Sequence, residues 1–237
     1  MTDLLGDVEF ADNPEPRCAV ALVLDTSGSM AGAPIAELNQ GIQDFASAVK
    51  ADGLAAARVE VAIVTFGGPP TIQDLRGGSG ALPQVAVQDA FVGAASFVPP
   101  HLSARGDTPM GEAAQLALRL ITERKSAYRI ANIDYFRPWL VLITDGNPTD
   151  SGWEAKAAAI RDEESRKGIY VYPIGVLGAN VRKLSQFSSV SAPLVLQGLN
   201  FKELFMWLSK SMISVSQSRI GDQVVLPEIG GWGKISS

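Results

Sequence analysis

Short apolar runs alternate along this chain with longer stretches of helical period. Cys18–Leu24, Val59–Phe66, Trp139–Thr144, Ile169–Val176 and Leu194–Gln197 are rich in β-branched or aromatic residues and bounded by Gly, Pro or Asp, which predicts strands. The first and third are apolar without a break, as a strand covered on both faces must be. Between strands, Pro34–Lys50 places Ile35, Leu38, Ile42, Phe45, Ala46 and Val49 on one helical face, with Pro34 suited to a first turn. Pro109–Lys125 is apolar nearly all round and reads as a deeply buried helix. Trp153–Lys167 is amphipathic and stops at Gly168, and Phe201–Ser216 makes a long final helix. Gln84–Val92 is expected as an edge strand, joined to the second strand by a Gly- and Pro-rich loop, Gly67–Leu82.

Strands alternating with helices predict an α/β fold. The expectation is a doubly wound, Rossmann-like, mostly parallel sheet of about six strands, with one antiparallel edge strand and helices on both faces. Its body is expected at residues 17–217, after an acidic segment, 1–16, and before a tail, 218–237. The tail carries Val224-Val225-Leu226-Pro227 and Gly230-Gly231-Trp232-Gly233, too apolar for a purely solvated end. It is expected to strap its own domain or to dock a partner. Open sheets of this kind bind ligands beyond the carboxyl ends of their strands, where strand order reverses. Chemistry is therefore sought just after the strands.

Composition removes several alternatives. Among 237 residues, 20 Lys+Arg against 25 Asp+Glu give a net charge of -5, which excludes a nucleic-acid module held by bulk positive field. One cysteine, Cys18, excludes a disulfide framework and cysteine-based zinc or iron–sulfur sites; one histidine, His101, excludes a site needing two imidazoles. No apolar run approaches the ~18 residues of a membrane span. The N-terminus lacks the order of a secretory signal, so the expected compartment is the cytoplasm. Gly77-Gly78-Ser79-Gly80 does not follow a strand and open a helix, so it is no dinucleotide fingerprint, and a P-loop is absent.

What remains is a set of oxygen donors in three segments. The first strand ends in Asp25-Thr26-Ser27-Gly28-Ser29-Met30, where alternation in an extended chain lets Asp25, Ser27 and Ser29 project together. The second segment, Gly106-Asp107-Thr108-Pro109-Met110-Gly111, opens the buried helix, with Thr108 as its expected N-cap and proline at the first helical position. The third, Leu142-Ile143-Thr144-Asp145-Gly146, closes a core strand. Taken singly, each has an ordinary reading as a cap or a turn. Together they offer the carboxylates of Asp25 and Asp145 and the hydroxyls of Ser27, Ser29 and Thr108 on one rim. That hard-oxygen set suits Mg²⁺ or Mn²⁺, and less well Ca²⁺.

Asp25-x-Ser27-x-Ser29, Thr108 and Asp145 resemble, position by position, the metal-ion-dependent adhesion site of von Willebrand factor type A domains. The resemblance implies that the serines and the threonine ligate a divalent cation, with the aspartates often acting through water. It also implies that an Asp or Glu of a protein partner completes the shell. Asp145-Gly146-Asn147-Pro148-Thr149-Asp150 followed by Trp153, the Thr108-Pro109-Met110-Gly111 helix start and Trp207-Leu208-Ser209 are most similar to stand-alone proteins of bacterial tellurium-resistance (TerY-type) clusters. That narrower likeness implies a cytoplasmic scaffold in stress signalling, with a kinase or phosphatase of the same gene cluster as partner.

The alternative is a metal-dependent phosphohydrolase or phosphotransferase, which also places an Asp after the first strand. Such chemistry needs a second acid two positions on, where this chain has Ser27, and neither serine has a base or a nucleophile elbow around it. A non-enzymatic interaction module is therefore expected, a purely structural metal being the third reading. Of the flanking residues, His101 is expected as an ordinary loop histidine, Asp107 as a turn residue or a support to the site, Asp150 and Ser151 as N-caps of the following helix, and Trp153 as a core contact.

Overall fold

The computed structural model describes residues 13–78, 80–83, 89–176 and 178–235, with nothing described of the side chain of Ile235. Nine strands are assigned among them: β1 (Cys18–Asp25), β2 (Val59–Phe66), β3 (Thr71–Gln73), β4 (Ala81–Leu82), β5 (Val92–Gly93), β6 (Trp139–Thr144), β7 (Tyr170–Gly175), β8 (Leu194–Leu196) and β9 (Gly233–Ile235). The helices are α1 (Ala33–Ala51), α2 (Gly53–Arg58), α3 (Met110–Ile130), α4 (Trp153–Ser165), α5 (Val181–Leu184) and α6 (Phe201–Gln217). They build one mixed sheet of order β4-β3-β2-β1-β6-β7-β8-β9, with β5 also on β2. β2, β1, β6, β7 and β8 run parallel. The short strands at either end are antiparallel.

Alternation along the central strands sorts the core into two layers. Cys18, Val20, Leu22 and Leu24 of β1 face a cluster with α1 and α6, while Ala19, Ala21 and Val23 face a second cluster with α3 and α4. Both faces of β1 are thus covered, which is why its sequence shows no polar interruption. The α1–α6 contact is close enough that a Cβ on Gly41 would enter the ring of Phe205. The chain leaves β1 toward β2 on one side and later returns through β6 toward β8 on the other, so strand order reverses between β1 and β6.

At the amino ends of β1 and β2 lies a buried ionic cluster. Glu60, 4% exposed, accepts Arg17 Nε at 3.1 Å and Arg124 Nε at 2.7 Å, and also receives the Tyr128 hydroxyl. Arg124 stacks over Tyr128 at 5.2 Å from the ring centre.

Several expectations need correction. The Gly67–Leu82 segment contains strands β3 and β4 where only a loop was expected. The strand expected at Gln84–Val92 falls largely on residues 84–88, outside the described residues; of the remainder, Val92 enters β5. The acidic segment 1–16 likewise lies mostly outside them. Helix α3 is not apolar all round, for Glu112, Gln115, Arg119 and Glu123 form an exposed stripe. Its buried face includes Arg124 and Lys125, each held by a carboxylate. Helices α2 and α5 are too short to show a period; α2 is fixed instead by Asp52, whose carboxylate accepts Leu54 N at 3.1 Å and Ala55 N at 2.8 Å.

The described part of the tail contacts α6 and β8. Trp207 donates its indole N–H to the Pro227 carbonyl at 2.8 Å, Trp232 packs 6.3 Å from Trp207, and β9 pairs with β8. The strap therefore covers what would be an open sheet edge.

Candidate functional site

β1 and β6 deliver Asp25 and Asp145 to adjacent positions at the carboxyl end of the sheet, where strand order reverses. Asp25 closes β1 and is fully buried. Its Oδ1 accepts the amide of Ser27 at 2.8 Å, and its Oδ2 accepts the hydroxyl of Thr144 at 2.6 Å. Thr144 in turn accepts the amide of Gly146 at 3.0 Å, which ties the turn after β6 to the carboxylate at the end of β1.

The backbone after Ser27 does not stay extended, as simple alternation assumed; Gly28–Met30 form a 3-10 turn. That turn brings Ser29 back beside Ser27, their hydroxyls 3.1 Å apart, and Ser29 donates to Asp145 Oδ1 at 2.7 Å. Ser27 is 2% exposed, whereas Ser29 and Asp145 reach the surface. The four residues therefore form one connected rim, buried on the Asp25 side and open on the other.

Thr108 arrives by a different route from the one expected. Helix α3 starts at Met110 with Pro109 as its N-cap residue, and no side chain caps it from within. Asp150 does so from the loop after β6, accepting Gly111 N at 3.0 Å and Glu112 N at 3.1 Å while pairing with Lys156 at 2.8 Å. Asp150 and Ser151 do not cap α4, whose N-cap is Gly152 in the left-handed region, with no side-chain bond. Thr108 is held by its backbone, its N–H on Thr149 Oγ1 at 3.1 Å and its carbonyl accepting Thr149 N at 2.9 Å. Its hydroxyl is left for the rim. A Cβ on Gly146 would lie 3.3 Å from Thr108 Oγ1 and 3.7 Å from Asp25 Oδ2, so both oxygens line the same small cradle.

Two glycines fasten the loops behind this rim. A Cβ on Gly67 would run into the carbonyls of Thr26 and Arg105, and Gly106, at φ 71°, would strike the Gly67 carbonyl. Backbone bonds follow the same seam: Thr26 N to Phe66 O at 2.8 Å, Arg105 N to Thr26 O at 2.7 Å and Gly28 N to Gly106 O at 3.0 Å. Beside the rim runs a cavity of about 580 Å³ lined by Thr26, Thr65, Gly67, Thr71, His101 and Arg105. His101 is thus an exposed loop residue near the rim, Asp107 is exposed, and Trp153 is a core residue stacked 6.0 Å from Phe187.

Sequence reasoning missed Thr144, Thr149 and Asp150 as the groups that position the rim. The available signal was a hydroxyl closing an otherwise apolar strand, at Thr144; nothing in the sequence marked Thr149 or set Asp150 apart from an ordinary cap.

Burial raises the Asp25 carboxyl above its ordinary value of 3.8; the bonds from Ser27 and Thr144 oppose that rise, and the charge of Asp145 adds to it. The folded protein then holds this proton at pH values where the unfolded chain has lost it. Its contribution to stability is complete below pH 3.8 and declines as pH rises through the folded-state value. In EDTA, Asp25→Asn should therefore gain stability relative to the parent as pH increases from about 4 toward neutrality. Urea titrations of both proteins across that range check this; a flat difference would count against it.

An open α/β sheet with an oxygen-lined crevice at its switch point defines the class. Residues 19–204 match the von Willebrand factor type A domain, and the chain belongs to that family. No curated protein matches it in sequence. Among solved structures it is similar to proximal thread matrix protein 1 from the mussel byssus, at 17% identity and TM-score 0.52, covering 85% of this chain and 47% of that one. The pilus adhesin SpaC of Lactobacillus rhamnosus GG, in its open conformation, aligns at 15% identity and TM-score 0.54, over 86% of this chain and 31% of that one. The PilB minor pilin of Streptococcus sanguinis aligns at 12% identity and TM-score 0.50, over 84% and 62%. The chain spans less than two thirds of each, and at these identities the likeness concerns the fold. Among the described residues no helix is long and apolar enough to cross a membrane.

Proposed function

We propose that the chain is a divalent-metal-dependent protein-interaction module, with Asp25, Ser27, Ser29, Thr108 and Asp145 holding Mg²⁺ and an acidic side chain of a protein partner completing the site. The observation that carries this reading is the convergence of the oxygen-bearing side chains: the Ser27 and Ser29 hydroxyls lie 3.1 Å apart, Ser29 bonds Asp145 at 2.7 Å, and Thr108 Oγ1 and Asp25 Oδ2 line one cradle beside Gly146. Mg²⁺ binds oxygen at 2.0–2.1 Å in an octahedron, whose neighbouring ligands are about 2.9 Å apart. An all-oxygen set with two carboxylates and no nitrogen or sulfur suits such a hard cation. Mn²⁺ is the nearer alternative.

The bound cation supplies a Lewis-acidic position for a carboxylate oxygen. The chain's own residues do the rest. Thr144 and the Ser27 amide fix the Asp25 carboxylate, and Thr149 and Asp150 fix the loop that presents Thr108. Arg105 and His101, in the adjoining cavity, offer donors to the partner segment flanking its acidic residue. A scaffold role in a tellurium-resistance or stress-response cluster, in the cytoplasm and with a kinase or phosphatase partner, rests on the sequence motifs alone.

Recovery of binding partners from a lysate, with and without EDTA, tests the reading. Ser27→Ala/Ser29→Ala should keep the fold by circular dichroism and lose the recovered partner, as EDTA treatment should. Equal recovery in all samples would place binding on another surface.

A further inference from the structure

Among the described residues, the cavity of about 580 Å³ beside the rim is lined by a fixed cation, Arg105, and by no Asp or Glu. The chain as a whole is acidic, with a net charge of -5, so this wall departs from its surroundings. Thr26, Thr71, Gln73, His101 and Ser103 complete its polar lining. Hydroxyls and amides donate as well as accept, so those neighbours suit a ligand of either sign. The guanidinium, which donates and never accepts, favours an anion.

Two further observations concern Arg105. Its side chain is exposed and has neither a hydrogen bond nor an ion pair among the described residues. Asp107, the acid two positions on, is exposed as well and does not pair with it. The backbone of Arg105, by contrast, is pinned. Its N–H donates to the Thr26 carbonyl at 2.7 Å, and a Cβ on Gly67 would lie 2.5 Å from its own carbonyl oxygen. Thr26 stands between Asp25 and Ser27 and lines the cavity, so rim and cavity share a wall. An unpaired cation is thereby rooted beside the place where a partner's acid would meet the metal.

Resting on the metal-dependent reading above, we infer that this cavity takes a second carboxylate from the same partner segment, an Asp or Glu a few residues from the one on the cation. One guanidinium matches one monoanion and holds it through two parallel hydrogen bonds. In an extended segment, side chains two positions apart share a face and lie about 7 Å from one another, so neighbouring acids can serve rim and cavity together. The pair also supplies selectivity that a lone acid lacks, because a segment with a single carboxylate leaves Arg105 unmatched.

The test is a selection from a phage-displayed library of random dodecapeptides on the immobilised full chain in Mg²⁺, with elution by EDTA and sequencing of the eluted pool. Eluted peptides should carry two acids within four residues at least fivefold more often than the unselected library. On Arg105→Gln the first acid should remain enriched and the preference for a second should vanish. The most enriched peptide, remade with Gln in place of one acid, should bind the parent at least fivefold more weakly by fluorescence anisotropy. That single-acid peptide should bind the parent and Arg105→Gln alike. Arg105 makes its seam contacts through the backbone, so the variant keeps the fold, which thermal melting verifies. Single-acid peptides enriched as strongly as two-acid ones, or a second-acid preference that survives in Arg105→Gln, overturn the inference and leave the metal reading standing. A bound pool that EDTA fails to release overturns both.

Discussion

Glu60→Ala should cost about 3–5 kcal/mol of folding stability, because it removes the carboxylate that two buried guanidiniums share. Arg17 and Arg124 hold opposite oxygens of Glu60 at 3.1 and 2.7 Å, and all three side chains are almost fully covered. Arg17 keeps carbonyl contacts to Asn13 and Glu15, but both guanidiniums lose the buried carboxylate they share. Urea denaturation reads the loss directly. A cost under about 1 kcal/mol would show that water reaches the cluster and that the pair behaves as a surface bridge. The cluster sits at the amino ends of the strands, so the metal response described next should persist in any fraction that folds.

Magnesium at a hundred times its dissociation constant should stabilise the protein by about 2.7 kcal/mol through mass action alone. For a chain of this size that is a rise of roughly 5–10 °C in melting temperature. Asp25→Ala should abolish the rise. The metal-free variant need not be weaker than the parent, since it also loses a desolvated carboxylate next to Asp145. Calorimetry with and without Mg²⁺ separates the two effects, and an undiminished rise in Asp25→Ala would move the metal elsewhere.

The core strands were legible because burial on both faces leaves a plain mark. β2 and β6 appear where their apolar runs begin and end, and β1 extends by one residue to Asp25. Helix ends were harder, since their caps come from distant segments. No local rule assigns the α3 cap to Asp150, 38 and 39 residues beyond the amides it receives. The pieces β3, β4, β9, α2 and α5 are too short to carry a period, and their form depends on neighbours across the sheet. At the site, residue types picked out the five side chains, whereas their arrangement depends on the turn at Gly28–Met30 and on the contact of Thr108 with Thr149. The supporting role of Thr144 is visible only once β1 and β6 lie side by side.

The glycine seam at Gly67 and Gly106 bears on how this rim could change over evolutionary time. With three loops pressed backbone against backbone, lengthening any one of them would displace the other two. New recognition is therefore expected to arise from side-chain replacement at His101, Arg105 and their neighbours rather than from loop insertion, and transplanting a single loop into another scaffold should carry no binding with it.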